Sequence, residues 1–266
     1  IPAGFSGIFG HKPTHGIVPM WPASPFAPLA HVGPMTWTVA DSALLMDILT
    51  ETDPRDPSMA RPEFTYLDEI EKGIKGLRVA SSPTMGYVDV DPEIRAAVDA
   101  AVEGLEDMGA IVEMVDPGFE DPRQAFDILF YGGAANALRA VPAEQRRKMD
   151  PGLIEVSEWA ETLSMLDYLG AMNVRAALIE HMSLFHRDWD VLVTPSLPIP
   201  AFDTNQEVPT GSHDKRRPSW TRFTYPFNMT GQPALSVPCG FSPDGLPIGL
   251  QIVGARFDDR RVLQAG

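Results

Sequence analysis

Ser212-His213-Asp214-Lys215 carries the side chains of a catalytic triad and, read as S-x-x-K, of a serine–lysine dyad. Neither chemistry fits the spacing. A triad sets its histidine between nucleophile and acid by bringing distant residues together, which four consecutive residues cannot do. The S-x-x-K lysine returns to its serine over a turn of helix, and Arg216-Arg217-Pro218 offers none, so the segment reads as a solvated loop. Gly4 to Thr14 is glycine-rich and holds Lys12, as a phosphate-binding loop would. Such a loop needs lysine directly after its last glycine and then a helix, whereas His11 intervenes here and Pro13 follows. Lys12 reads as a surface or structural contact. His181 and His186 are five residues apart, which puts them about 140° apart on a helix, and no carboxylate pattern accompanies them. No metal ligands are assigned. Cys239 ends an apolar strand and reads as an inert, partly buried thiol.

What remains is a set of strand ends. Thr194-Pro195 and Phe227-Asn228-Met229-Thr230 stand where apolar runs give way to loops, the usual place for a site in an α/β sheet. Asn228-Met229-Thr230 is formally a glycosylation acceptor, but nothing suggests secretion and Asn228 reads as a turn or pocket residue. Met20, Trp21, Phe130 and Tyr131 can add apolar wall, a role that competes with plain core packing. The candidate substrate-binding set is Met20, Trp21, Thr194, Phe227 and Asn228, with no catalytic residue assigned.

The elements that must position these residues alternate in type. Residues 1 to 36 hold many Gly and Pro and read as an irregular layer of turns. A helix follows, with Thr38 and Asp41 resembling a capping box and Val39, Leu45, Ile48 and Leu49 forming an apolar stripe. Thr52 to Pro62 is a solvated connection. Leu77 to Ser81 reads as a strand, Asp91 as an N-cap with Pro92 at the first helical position, and Gly109 as the stop. Ile94, Val98, Ala101, Leu105 and Met108 share one helix face, and Ile111 to Val115 is the next strand, so this stretch is a βαβ unit. Gly118 to Met149 and Leu153 to Arg187 look helical, the latter with Leu163, Leu166, Leu169, Met172 and Val174 among charges. Val191 to Thr194 is a short strand, and Pro198 to Pro218 a polar loop. Ala234 to Val237 and Ile248 to Val253 are strands about the turn Pro243-Asp244-Gly245. The fold class is α/β, a mixed β-sheet core covered by helices on both faces, in a single domain over residues 1–266.

Composition narrows the function class. With 44% hydrophobic and 21% charged residues, the chain of 266 residues can bury a sizeable core. Its net charge of −15 argues against nucleic acid, whose phosphates need cations to displace their counterions. One cysteine excludes an internal disulfide and a multi-thiolate zinc site. No apolar run approaches the roughly 18 residues of a membrane span, and no signal-peptide pattern stands at Ile1, so the cytoplasm is the expected location.

Ile1-Pro2-Ala3-Gly4-Phe5-Ser6-Gly7-Ile8-Phe9-Gly10-His11-Lys12-Pro13-Thr14-His15-Gly16 closely resembles the second half of the signature of the amidase signature family, serine hydrolases that cleave carboxamides. Gly33 to Leu49 resembles the helix after that signature, Asp190 to Pro198 and Pro226 to Pro238 its late strands, and Gly245 to Gly254 completes the order. Residues 120 to 185 match in length and helical character only.

The resemblance implies an amidase signature fold that is incomplete at both ends here. It places the nucleophilic serine a few residues ahead of the position of Ile1, with the cis-serine and lysine of the Ser-cisSer-Lys triad further upstream. Lys12 is therefore not the family's catalytic lysine. It also implies an acyl-enzyme route without cofactor, and puts Thr194, Phe227 and Asn228 near the acyl pocket. The chain alone is expected to be inactive. The expected partners are a small-molecule amide substrate and the missing N-terminal segment of the same protein, a homodimer staying open and nucleic acid and membrane excluded. Two alternatives stand beside an amidohydrolase: the A-type subunit of a tRNA-dependent amidotransferase, and a non-catalytic binding module on the same scaffold.

Overall fold

The computed structural model describes residues 1–56, 64–68, 70–214 and 216–266, Arg217 by its backbone alone. Its elements run α1 (Pro2–Ser6), β1 (Phe9–Lys12), β2 (Met35–Thr36), α2 (Val39–Leu49), β3 (Arg78–Ser81), α3 (Pro92–Asp107), β4 (Ile111–Met114) and α4 (Arg123–Arg139). They continue with α5 (Ala143–Arg146), α6 (Pro151–Glu161), α7 (Met165–Phe185), β5 (Val191–Pro195), α8 (Tyr225–Thr230), β6 (Ala234–Phe241), β7 (Pro247–Gly254) and α9 (Asp259–Ala265).

All strands among the described residues join one seven-stranded sheet in the order β2-β1-β6-β7-β5-β3-β4. Pairs β3–β4 and β3–β5 are parallel and the others antiparallel, so the sheet is mixed as expected. Short apolar runs suit its centre because side chains alternate between two covered faces. Val191, Val193, Leu235 and Ile252 enter one core with residues of α2, α3 and α9. Leu192, Ala234 and Val253 enter the other, with Met182 of α7 and Phe227 of α8.

The β3–α3–β4 unit forms as the spacing predicts. Asp91 accepts from the Glu93 amide at 3.1 Å, Pro92 opens α3, and Gly109 takes the left-handed conformation, φ 92°, that ends it. Ile94, Val98 and Leu105 are buried, Ala101 is half-buried, and Met108 lies beyond the packed stretch at 60% exposure. Leu105→Ala should cost about 2 to 5 kcal/mol, while Glu103→Ala on the exposed face should cost far less. Equal shifts of the denaturation midpoint for the two variants would refute this face.

Several expectations need correction. In α2, Thr38 caps the helix by accepting from the Asp41 amide at 3.1 Å, but the buried residues are Ser42, Ala43 and Met46, while Leu44, Leu45 and Ile48 are exposed. Apolar residues lie nearly all round this helix, so periodicity leaves its face undecided and packing on β1 and β2 chooses it. The two long helical stretches divide into α4 to α7. Pro142 and Asp150-Pro151 open new helices, and a capping box between Ser164 and Asp167 starts α7. Leu166, Leu169 and Val174, read as part of an apolar pattern, are exposed. Phe227–Thr230 lies in helix α8 and not at a strand end, because Pro226 sits in the first turn and Gly231 caps the helix in the left-handed conformation. The first 36 residues are more regular than their glycines and prolines suggest, holding α1, β1 and β2. Of the connection 52–62, residues 57–62 lie outside the described residues.

Candidate active-site cleft

Strand β1 pairs with β6 in the register Gly10↔Ser236, His11↔Leu235 and Lys12↔Ala234. Residues two apart share a side of the sheet, so Gly10 and Lys12 face one way and Phe9 and His11 the other. Gly10, Lys12, Ala234 and Ser236 wall a cleft of about 300 Å³, closed by Ile1 to Ala3, His31, the segment Gly33 to Met35, Ser196, Thr224, Asn228 and Gln251.

Four polar features define its chemistry. The Lys12 ammonium donates to the Gln232 carbonyl oxygen, and burial pushes its pKa down to about 7 against a smaller opposing pull from Asp259. Its amine is therefore poised between charged and neutral near physiological pH. Ser196 and Ser236 are both buried, with their hydroxyl oxygens 2.7 Å apart. A side chain at Gly249 would put its Cβ 2.7 Å from Ser236 Oγ and 2.9 Å from Ser196 Oγ, so only glycine lets this hydroxyl pair stand. Asn228 reaches the cleft from α8 and donates through Nδ2 to the Leu29 carbonyl at 2.9 Å, beside His31. Burial first, and the Lys12 charge second, hold the His31 pKa well below the usual range, so its ring is neutral at pH 7.

Behind β1, Asp259 is fully buried at the start of α9. It accepts from the Thr14 amide at 2.8 Å and the Thr14 hydroxyl at 2.6 Å, and its Oδ1 lies 3.5 Å from His11 Nε2. The Thr14 hydroxyl oxygen in turn accepts from the Phe257 amide at 2.9 Å. These bonds tie the strand bearing Lys12 to the last helix.

The sequence-derived site residues separate into groups. Asn228 lines the cleft. Thr194 is fully buried one layer behind it, accepting at 3.0 Å from the amide of Gln251, which does line the cleft. Phe227 is fully buried in the core beneath α8. Met20 lines a neighbouring cavity of about 200 Å³ that shares His31 with the cleft. Trp21 is 57% exposed, with the Arg55 guanidinium 5.8 Å from its ring centroid. Of the second apolar pair, Phe130 and Tyr131 line a third cavity with α6.

Other candidates take structural partners. Asp214 pairs with Arg123 at 2.8 Å, and Lys215 lies outside the described residues. His181 Nε2 contacts the Pro117 carbonyl at 2.6 Å and His186 Nδ1 the Trp189 carbonyl at 3.0 Å. Burial raises the Cys239 thiol to about 11, which leaves little thiolate at neutral pH.

Sequence reasoning missed Lys12, His31, Ser196 and Ser236 as cleft residues. Two signals were available. Ser236 is a hydroxyl inside the apolar run Ala234 to Val237, and Ser196 directly follows the strand end at Thr194-Pro195. No hydrogen bond among the described residues links either serine to a base, the partner that activates a hydroxyl nucleophile.

A family model described as Amidase matches residues 1–263. The chain belongs to the amidase family. This amidase-family chain is 37% identical over 272 residues to an acylamidase of Rhodococcus erythropolis, covering 99% of the chain and 57% of that protein. It is 32% identical to a subunit of the glutamyl-tRNA(Gln) amidotransferase of Halothermothrix orenii, covering 99% of the chain and 60% of that protein. Among solved structures it resembles a bacterial aryl acylamidase of the amidase signature enzymes, with a TM-score of 0.88 and 25% identity, covering 99% of the chain and 58% of that structure. The chain thus spans 57 to 60% of the length of these relatives. No helix among the described residues of this amidase-family chain is long and apolar enough to cross a membrane.

Proposed function

We propose that this chain forms the substrate-side wall of a serine amidohydrolase that cleaves a small carboxamide through an acyl-enzyme. The observation that carries the reading is the cleft itself. Ile1, Pro2 and Ala3 line it, and the family signature puts the nucleophilic serine just ahead of that position, so a serine placed there faces Lys12, the Ser196–Ser236 pair and Asn228. The serine attacks the carbonyl carbon, its proton passes through the upstream cis-serine and lysine to the leaving amine, and water releases the acid. Backbone N–H groups of the nucleophile loop hold the oxyanion.

In this reading Asn228 touches the substrate's acyl part. Thr194 sets the Gln251 carboxamide behind it, and Phe227 anchors α8. Met20 and Trp21 form an outer apolar rim next to the cleft. The remaining part of the protein packs on the sheet edge at β2. There Met35, Trp37, Leu44, Leu45 and Ile48 are all exposed, and apolar surface so grouped favours association.

The test is covalent labelling. The 266-residue chain alone should show no amide turnover and no reaction with a fluorophosphonate, whereas the longer protein should label stoichiometrically at an upstream serine. Stoichiometric labelling of Ser196 or Ser236 in the short chain would overturn the assignment.

A further inference from the structure

A further polar cavity, of about 200 Å³, lies between α7, the end of α8 and the residues after β7. It is lined by Ile179, Met182, His186, Thr230, Gln232 and Arg256 among others, and shares no lining residue with the cleft. Three of its polar atoms are buried without a partner: Thr230 Oγ1, Gln232 Oε1 and His186 Nε2. Thr230 and Gln232 are only 1% and 2% exposed, so bulk water does not satisfy them.

Their hydrogen-bonding roles are fixed by their other contacts. Gln232 Nε2 donates to the Gly254 carbonyl at 2.8 Å, which leaves Oε1 as a buried acceptor without a partner. His186 Nδ1 must carry a proton to contact the Trp189 carbonyl at 3.0 Å, and burial lowers the ring's pKa, so the neutral ring presents a bare Nε2 lone pair. Thr230 can donate or accept. The wall therefore asks for N–H donors.

The other side is cationic. A Cβ built on Gly231 would lie 3.8 Å from Arg256 Nε, which places that side chain against the Thr230–Gln232 turn. Arg175 precedes Ile179, Met182 and His186 on α7 at spacings of four, three and four, one helix face, and its Nε is buried without a partner. Burial and then the charge of Arg256 hold the Arg175 pKa down, so the two guanidinium groups feel each other. The nearby Asp258 is engaged by Arg261 at 2.6 Å and Arg260 at 3.4 Å. Arg256 lines the cavity and Arg175 stands one turn further back on α7, in a chain of net charge −15, with no ion pair to either arginine among the described residues.

We propose that this cavity binds a small amino-acid-like molecule, its carboxylate on Arg256 and its amino group on Gln232 Oε1, His186 Nε2 and the Thr230 hydroxyl. Charge-assisted bonds to guanidinium groups recognise a carboxylate, and three acceptors recognise an ammonium. A volume of about 200 Å³ holds roughly six waters or one molecule of similar bulk, with Ile179 and Met182 against its short aliphatic part.

The test uses the full-length protein and glycine, β-alanine, acetate, methylammonium and urea as probes, read by calorimetry and thermal shift. Glycine or β-alanine should bind and raise the Tm, and acetate and methylammonium should each bind more weakly. Arg256→Ala should weaken binding by about tenfold or more. Thr230→Val, nearly isosteric, gives the same direction in a variant whose fold is less at risk. Binding of the amino acids unchanged in both variants would overturn the proposal. So would no binding of any probe, which would mean ordered water alone fills the cavity, or preference for urea over glycine.

Discussion

Lys12→Met should stabilise the protein at pH 7 and lose that advantage as the pH rises toward 10. The folded protein holds the Lys12 pKa at about 7, against 10.5 for the free side chain, because burial strips water from its ammonium. Below about 7 the side chain is charged in both states, and the folded state bears the full cost. Between about 7 and 10.5 the unfolded chain keeps a proton that the folded chain has released, so unfolding takes up a proton and stability climbs with pH. Above 10.5 both states are neutral and the contribution vanishes. The gap corresponds to on the order of 5 kcal/mol, present at pH 6, mostly present at pH 7 and nearly absent at pH 10. Urea denaturation of parent and variant across this range isolates the effect as a difference, free of other titrating groups. A difference that does not change with pH would show that Lys12 is solvated.

Asp259→Ala should destabilise the protein by roughly 3 to 5 kcal/mol, the range for removing one member of a buried charged network. The carboxylate is fully buried and accepts the Thr14 amide and hydroxyl, bonds that join the β1 segment to α9 across 245 residues of sequence. Its removal leaves a buried N–H unpaired and takes away the charge that partly offsets the burial of Lys12. Asp259→Asn keeps the shape and one acceptor, so it should cost less. Equal, small losses in both variants would mean that solvent reaches the site.

The parts legible in the sequence are those where local and global signals agree. Val191 to Pro195 is short, β-branched and apolar, and becomes a strand covered on both faces. Asp91-Pro92 and Gly109 bound α3 because capping is decided within a few residues. Where neighbours decide, the sequence is ambiguous. Phe9-Gly10-His11-Lys12 has no apolar alternation and is a strand only because β2 and β6 pair with it. The face of α2 is set by what it packs on, and Phe227 to Thr230 follows an apolar pattern that a helix and a strand end share. In the cleft, Asn228 was accessible from its place next to an apolar run. Lys12 was not, since a lysine between His11 and Pro13 looks solvated until the sheet register turns it inward.

The account rests on the cleft beside Ile1 being where the substrate's acyl part sits. Steady-state hydrolysis of a small amide by the full-length protein, in variants Asn228→Ala and Asn205→Ala, tests this most directly, because Asn228 lines the cleft and Asn205 lies on the exposed loop. Asn228→Ala should lower kcat/KM by about tenfold or more, with its far-ultraviolet circular dichroism and Tm close to those of the parent, while Asn205→Ala should leave kcat/KM nearly unchanged. Parent-like kcat/KM in a folded Asn228→Ala variant would contradict the account and make α8 a structural support alone.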